Sequence, residues 1–600
     1  LGPPRHPGSR PLAAFFLGRV AILPKGQIRS HPSIRTSTEE LGVDWNTTTM
    51  IGRKKKIVLY QPQQVDESLG LPSSKDMLPL EMLTISARPL ANGYEIVIVD
   101  GSLYSVDEAH RRLLEACEGA FLYATTGILG FMIYDGWQAS LKVKAKFPHI
   151  KSVIGGWFAS VRPDLQLQTG LYDCVVLGQG EVTFDELVRA LDSGVALDTV
   201  PGLALWRDGQ VVKTEKRGVA GWDAIPERMP WHLIDIEPYR EHQLRARSHK
   251  DVLRMPTPPA MGERKPYFGI TYFSSYGCPE PCTFCCSPIV TDRRWKAMPS
   301  DRLLDDLCEL KERWNFDVVR FHDANFGVMQ KRVKEFSQGL LDRNAKFWWN
   351  AFIETNSILK YDPATLDLMA ASGMYIAEIG AEAGTDEMMK KIGKPIKGDD
   401  NIDAAVEMDK RGICASVTYI IGYPGEERAS MMATIDQCRR LHVAAPLARP
   451  TVWPYRPIPG TAMWDQAVSM GYQPPNTLKE WGSIGEYHFE ETWPGKIPPD
   501  VALERKLYQH YVTLDYGLAR GKIGFWEKRA KKRLQSGDLQ GGFPSGKWEA
   551  RAFDVYNRIE KKLFKRAETS RSWIDPGHKT GTAGNAASKS RNVMTETTAG

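Results

Sequence analysis

Short apolar runs alternate with amphipathic stretches over two long parts of the chain. In the first part, Ile57-Val58-Leu59-Tyr60, residues 94–100, residues 120–124, Ser152-Val153-Ile154-Gly155-Gly156 and residues 174–181 are apolar without regular polar alternation. Helical patterns lie between them, near 77–90, 105–117, 131–147 and 183–191, with one more before Cys174. Continuous apolar strands that alternate with helices predict a parallel sheet covered on both faces. Such a sheet takes ligands outside the carboxyl ends of its strands. Small residues stand at those ends: Thr125, Gly127, Gly155, Gly156, Gly178 and Gly180. They let a large ligand approach the backbone, and tight turns account for the same glycines.

A second series starts at 267–273 and continues through 318–323, 347–354, 375–382, 415–421 and 449–455, with helices near 301–314 and 364–371. About six βα units are too few for a closed eight-stranded barrel, and they predict a partial barrel with its chemistry at the strand carboxyl ends. Residues 193–265 read as a connector. Within it, 203–212 form a hairpin turned at Asp208-Gly209, and Met255-Pro256-Thr257-Pro258-Pro259 is a linker. From about 476 the pattern is helical, with Val501, Leu503, Leu507, Tyr511, Leu514 and Leu518 at helical spacing. The basic run 528–533 reads as a solvated helix face. Trp481, Tyr487, His488, Phe489 and Trp493 either cap the barrel mouth or pack as ordinary core. The Ser-, Thr-, Gly- and Ala-rich tail 567–600 is expected to be disordered. The predicted class is α/β: a parallel-sheet domain over 50–192, the connector 193–265, a partial (β/α)6 barrel over 266–475 and a helical region over 476–566.

Composition narrows this picture a little. A chain of 600 residues exceeds one ordinary domain. Hydrophobic content of 42% with 25% charged residues is that of a globular protein, and no apolar run is long enough to span a membrane. A net charge of +6 is small for this length and gives no reason to expect nucleic acid as a partner. The chain has nine cysteines, and the six outside positions 278, 282 and 285 show no disulfide framework, so a reducing, cytoplasmic setting is expected. Residues 1–49 hold no methionine, and 1–38 hold arginines and one lysine without an acid. That composition is either a transit peptide or a translated leader with Met50 as the start, and the leader is the reading adopted.

The candidate chemistry lies at Cys278-Pro279-Glu280-Pro281-Cys282-Thr283-Phe284-Cys285. Two prolines prevent a regular helix here, so a short loop turns its thiolates toward one centre. Thiolates suit zinc or iron–sulfur clusters. A structural zinc site asks for four ligands, often as two separated pairs, and no second C-x2-C follows. Three cysteines on a four-iron cube leave one iron open to a substrate or cofactor. By spacing, Cys286 is a spare.

This C-x3-C-x2-C spacing, with Phe284 before the last cysteine, resembles the signature of the radical S-adenosylmethionine (AdoMet) family. The resemblance implies a 4Fe-4S cluster on Cys278, Cys282 and Cys285, with AdoMet at the open iron. It implies AdoMet contacts from Phe284, from Asp323 near the methionine amine, from Glu382 at the ribose, and from Gly422 and Gly425 in the Gly-x-Pro-Gly-Glu turn beside the adenosine. Residues 56–192 resemble the Rossmann-like cobalamin-binding domain of one class in that family. There Thr125, Thr126, Gly155, Gly156, Gly178, Gly180 and Glu181 are the implied cobalamin contacts. This chain departs from that pattern after the first strand, where Gln61-Pro62-Gln63-Gln64 replaces a histidine motif that would ligate cobalt.

The resemblance as a whole implies cobalamin-dependent methylation of an unactivated carbon on a small molecule. It also implies an electron donor such as flavodoxin or ferredoxin. Oxidative ring closure by the same class, or a non-catalytic cobalamin or iron–sulfur protein, are the alternatives.

Overall fold

The apolar runs of the first series become the strands of one sheet. The structure, a computed structural model, describes residues 55–64, 77–224, 229–248, 267–483, 497–516, 524–541, 545–549, 551–552 and 555. The leader, the linker 255–259, Tyr487, His488, Phe489, Trp493 and the tail from 567 lie outside them. The strands are β1 (Lys56–Gln61), β2 (Glu95–Asp100), β3 (Ala120–Thr126), β4 (Lys151–Gly155), β5 (Cys174–Val176), β6 (Leu203–Arg207) and β7 (Gln210–Lys213), in the order 2-1-3-4-5-6-7. Strands β1 to β5 are parallel. The order reverses between β1 and β3, which opens a crevice outside their carboxyl ends.

The hairpin β6–β7 is where the sheet departs from the expected connector. β6 pairs antiparallel with β5 and β7 with β6, so the hairpin extends the first sheet. The reason is apolar burial: β5 has only three residues, and Leu203, Ala204 and Leu205 cover its open edge while becoming fully buried themselves.

The second series forms β8 (Gly269–Tyr272), a two-residue ladder of β9 (Ser275–Tyr276) with β10 (Lys296–Ala297), then β11 (Val318–Phe321), β12 (Trp348–Phe352), β13 (Met374–Glu382), β14 (Cys414–Ile421) and β15 (Arg449–Pro454). Strands β8 and β11 to β15 lie side by side in chain order and are all parallel. This is the open six-unit barrel. The β9–β10 ladder pinches the base of the excursion 277–295, which carries the cysteines. Beneath the sheet, Phe321, Phe326, Phe336 and Trp349 form an aromatic core with ring centroids 4.7–6.2 Å apart.

The two sheets are joined by buried polar and apolar contacts. The Leu78 N–H donates to Thr271 Oγ1 at 2.9 Å, and the Tyr239 hydroxyl donates to Asp100 Oδ2 at 2.6 Å. Trp481 is fully buried with Leu129, Ile133, Phe158 and Leu165 of the first domain, so it packs as core. The helix Gly524–Ser536 carries the basic run, and here two cations depart from the solvated face, of which Arg529 is half-buried and pairs with Glu549. Arg533 is buried and reaches Glu549 at 3.1 Å, because Ala530 and Leu534 on the same helix turn inward.

A polar network holds the loop after β1. Asp135 is buried and accepts from the Tyr60 hydroxyl at 2.7 Å and the Gln63 N–H at 2.8 Å, while His110 Nε2 lies 2.9 Å from its other oxygen. A buried carboxylate is tolerated only when its lone pairs are met, and removing it strands every partner. Asp135→Ala is therefore expected to destabilise the protein by about 2–4 kcal/mol, read from chemical denaturation. An unchanged denaturation midpoint would contradict this account.

Candidate active site

The cysteine loop is held from two sides by its own backbone. The Thr283 N–H donates to Ile392 O at 3.0 Å, and Thr283 O accepts from the Met463 N–H at 3.2 Å. Phe284 sits edge-on to Tyr423, 5.7 Å between centroids, and Tyr423 tilts against Tyr455 at 5.2 Å. These rings belong to a buried cluster with Met388, Met389, Ile392 and Met463 that floors the loop. Burial pushes the Cys278 thiol up to about 11 and raises Cys282 further. A hydrogen bond from Cys286 brings Cys285 down to about 7, against burial, and the Ser287 N–H adds to it at 3.4 Å.

Among the described residues, no group of three Cys, His, Asp or Glu side chains is gathered to hold one metal ion. A four-iron cube asks for something different. Each thiolate takes its own iron, so sulfurs spread along one loop suit it, whereas a zinc site needs its donors drawn around a single ion. The donor set fits such a cluster.

Asp323, at the end of β11, is turned toward the start of that loop. Its carboxylate accepts from the Ser274 N–H at 2.7 Å and from the Ser274 and Ser275 hydroxyls, both at 2.6 Å. Arg332 Nη2 donates to Ser274 O at 3.1 Å and to Ser274 Oγ at 2.8 Å. Asp323 thereby fixes the segment between β8 and the ladder.

Glu382 closes β13 in a left-handed conformation, with φ of 64°, where the β13–β14 register slips. Its pKa rises to about 7, mainly through burial, with Lys394 opposing the rise. Lys394 is 2% exposed at its side chain, pairs with Glu354, and lies 3.9 Å from Glu382 and 3.1 Å from Gly380 O. Burial alone lowers its pKa, but Glu354 and Glu382 outweigh that and push it up. In the turn after β14, Gly422 and Gly425 have φ of 81° and 66°. Glu426 staples that turn by accepting from the Gly422 N–H at 2.7 Å and the Tyr423 N–H at 3.2 Å. Glu382, the Gly422–Glu426 turn and the cysteine loop therefore share the carboxyl edge of the second sheet.

On the first sheet, Thr125 donates to Tyr60 O at 3.1 Å, and Thr126 and Gly155 end adjacent strands. Gly156 has φ of 93°, and a Cβ there would stand 2.6 Å from Thr126 Oγ1, so the backbone alone requires glycine. Gly155 is roomier, its nearest neighbour being Val176 at 3.8 Å. A Cβ on Gly178 would stand 3.6 Å from Val290 O, so this strand end faces the helix Ser287–Thr291 that follows the cysteines. Gly180 packs near Ile85 and Val176. Glu181 is buried beside Tyr276, Thr84 and Gln179; burial raises its carboxyl, and hydrogen bonds from these side chains oppose the rise.

Between the sheets, a small cavity is lined by Gln61, Gln63, Gln64, Glu81 and Ser102 on one side and Thr271, Phe273 and His322 on the other. Gln61 is buried, and its Oε1 lacks a partner. The pattern of strands did not single out Gln61, His322, Glu354 or Lys394. Gln61, His322 and Glu354 carried a signal, as polar residues at predicted strand ends; Lys394 carried none.

Residues 272–438 match the family model described as the Radical SAM superfamily, so the chain carries a radical SAM domain. It is similar to an uncharacterized methyltransferase, PH0819, of Pyrococcus horikoshii, 28% identical over 340 residues that cover 56% of this chain and 67% of that one. It is also similar to the cytidylyl-2-hydroxyethylphosphonate methyltransferase of Streptomyces wedmorensis, 24% identical over 55% of this chain and 63% of that one. The chain thus spans about two thirds of the length of these curated relatives. Among solved structures it resembles in fold the radical S-adenosylmethionine methyltransferase TsrM from Kitasatospora setae, determined with cobalamin and a [4Fe-4S] cluster bound. The TM-score is 0.56 at 15% identity, covering 81% of this chain and 100% of that one.

The Lys394 pairing makes a sharp test. Lys394→Met leaves two buried carboxylates facing each other and is expected to cost about 3–5 kcal/mol. Adding Glu354→Gln should recover much of the loss in chemical denaturation. A double variant no more stable than the single one would contradict the ion-pair account.

Proposed function

We propose that this protein is a radical AdoMet enzyme that uses a 4Fe-4S cluster and cobalamin to methylate an unactivated carbon of a small-molecule substrate. The observation that carries the reading is the placement of the C-x3-C-x2-C loop. It lies on the carboxyl edge of one parallel sheet, and the helix Ser287–Thr291 that follows it meets the strand end at Gly178 of the other. Cys278, Cys282 and Cys285 would hold the cluster, and Phe284, Glu382, Gly422 and Gly425 would line the AdoMet side. Thr125, Thr126, Gly155, Gly178, Gly180 and Glu181 would border cobalamin, and the unmet acceptor of Gln61 asks for a polar ligand. When bound, the cluster supplies the electron that breaks the AdoMet sulfonium bond, and cobalamin carries the methyl group to be transferred.

The chain's own residues do the positioning. Asp323 and Arg332 set the start of the cysteine loop, and the two hydrogen bonds of Thr283 set its centre. Phe284 and Tyr423 keep water from one side of it. Lys394 keeps Glu354 and Glu382 at fixed positions beside the thiols. A carbon without an acidic proton or a lone pair cannot attack AdoMet directly, which is why a site of this kind keeps two cofactor faces opposed.

Replacing Cys278, Cys282 or Cys285 by Ala should remove the reconstituted iron and the AdoMet-dependent formation of 5′-deoxyadenosine, while Cys286→Ala keeps both. Iron content unchanged in Cys282→Ala would sink the cluster assignment.

Gly155→Leu should block cobalamin uptake, followed by absorbance, and leave the iron content intact. Loss of both would mean misfolding, and full retention of cobalamin would mean that the ligand lies elsewhere.

A further inference from the structure

The strands of the second sheet alternate between two environments. One face turns Ile270, Val319, Ala351, Ile379, Val417 and Val452 into a single buried core. Successive side chains of a strand point to opposite faces, so the residues between these line the inside of the open barrel. There Arg320 pairs in register with Asn350, Phe352 with Glu378, and Thr418 with Thr451. A closed barrel packs this space with bulky branched apolar side chains. Here apolar packing is confined to the amino end, where Tyr267, Val318, Tyr375 and Ile376 are buried together as a floor. Above it the lining is largely polar, and Gly380 leaves its position without a side chain. The inside of the barrel is therefore a floored well that opens at the strand carboxyl ends, where the cysteine loop and Glu382 lie.

The polar groups of the well suit an uncharged ligand. Arg320 crosses β12 and donates to both carboxylate oxygens of Glu378, from Nε at 3.2 Å and from Nη2 at 3.3 Å. This pair is net neutral. An incoming carboxylate or phosphate would compete with Glu378, and an incoming cation with Arg320. The Arg320 side chain remains 34% exposed on this inner face, so the pair can be reached from the well. Asn350 is 4% exposed, and its Oδ1 has no hydrogen-bond partner, while its Nδ2 donates to the Tyr375 hydroxyl at 3.4 Å. A buried acceptor left unmet asks for a donor from a ligand. Phe352 is 37% exposed on the same face and gives the well an apolar wall. The charges of Glu354, Glu382 and Lys394 stand at the strand ends above.

We propose that this well is the substrate pocket and that it takes an uncharged, hydroxyl-bearing ring, with a hydroxyl donating to Asn350 Oδ1 and an apolar face of the ring against Phe352. This rests on the proposed function and narrows its substrate class: the part of the molecule held here carries no carboxylate, phosphate or amine. A site built to bond a hydroxyl rejects the analogue without it, because the buried acceptor is then stranded.

The test uses the reconstituted full chain with AdoMet bound and no reductant, so that the AdoMet side is filled and nothing turns over. The probes are D-glucose, D-glucuronate and D-glucosamine, which share a pyranose ring and differ in charge. Binding is followed by saturation-transfer NMR titration. Glucose should bind about tenfold more tightly than either charged analogue, and Asn350→Leu and Phe352→Ala should each weaken it about tenfold. Iron content reports the folding of each variant. Should Asn350→Leu lose its iron, Phe352→Ala, which alters an exposed ring, decides the case. A charged analogue that binds as well as glucose, an iron-loaded parent that binds no glucose, or glucose binding unchanged in Phe352→Ala would overturn the pocket and leave the proposed function standing. A parent that takes up no iron would overturn the cluster reading, and this inference with it.

Discussion

Thr283 is where the structure hangs together functionally. Its N–H is tied to Ile392 and its carbonyl to Met463, so the middle of the cysteine loop is clamped between the β13–β14 connection and the helix after β15. A loop with two prolines cannot supply these bonds internally. Held this way, three soft ligands keep a fixed relation to the strand ends around them, and the β9–β10 ladder closes the loop at its base.

Charge is buried around that loop in a form that a stable protein tolerates only with full pairing. Asp323 meets Ser274 and Ser275, with Arg332 behind them. Lys394 sits between Glu354 and Glu382. Such pairs add little net stability compared with apolar packing. They do fix positions, and both sets join strand carboxyl ends to the cysteine loop or to the stretch that covers it. The same logic applies to Asp135 under the loop after β1. The carboxyl edges of the two sheets are thus each backed by a satisfied buried carboxylate.

The relation between sequence and structure differs by element. The parallel strands were readable because burial on both faces demands unbroken apolar runs, and β1 to β4 and β11 to β15 lie where those runs predicted them. The β6–β7 hairpin was readable as a hairpin, but its partner was not. A short edge strand such as β5 leaves no mark on the residues that will cover it. Arg529 and Arg533 show the same gap in miniature: within a basic run, only the helix's orientation tells which cations turn inward to Glu549.

By itself the sequence determined the α/β class, the two series of strands, and the thiolate loop with its spacing, because each depends on local periodicity or on neighbours a few positions apart. Tertiary structure alone decided that Asp323 spends its oxygens on Ser274 and Ser275, that Gln61 and His322 face one cavity, and that Lys394 lies between two carboxylates beside the cysteines. Those relations join residues tens to hundreds of positions apart. They exist only where strand ends from separate βα units converge, and no periodicity along the chain encodes which side chains meet there.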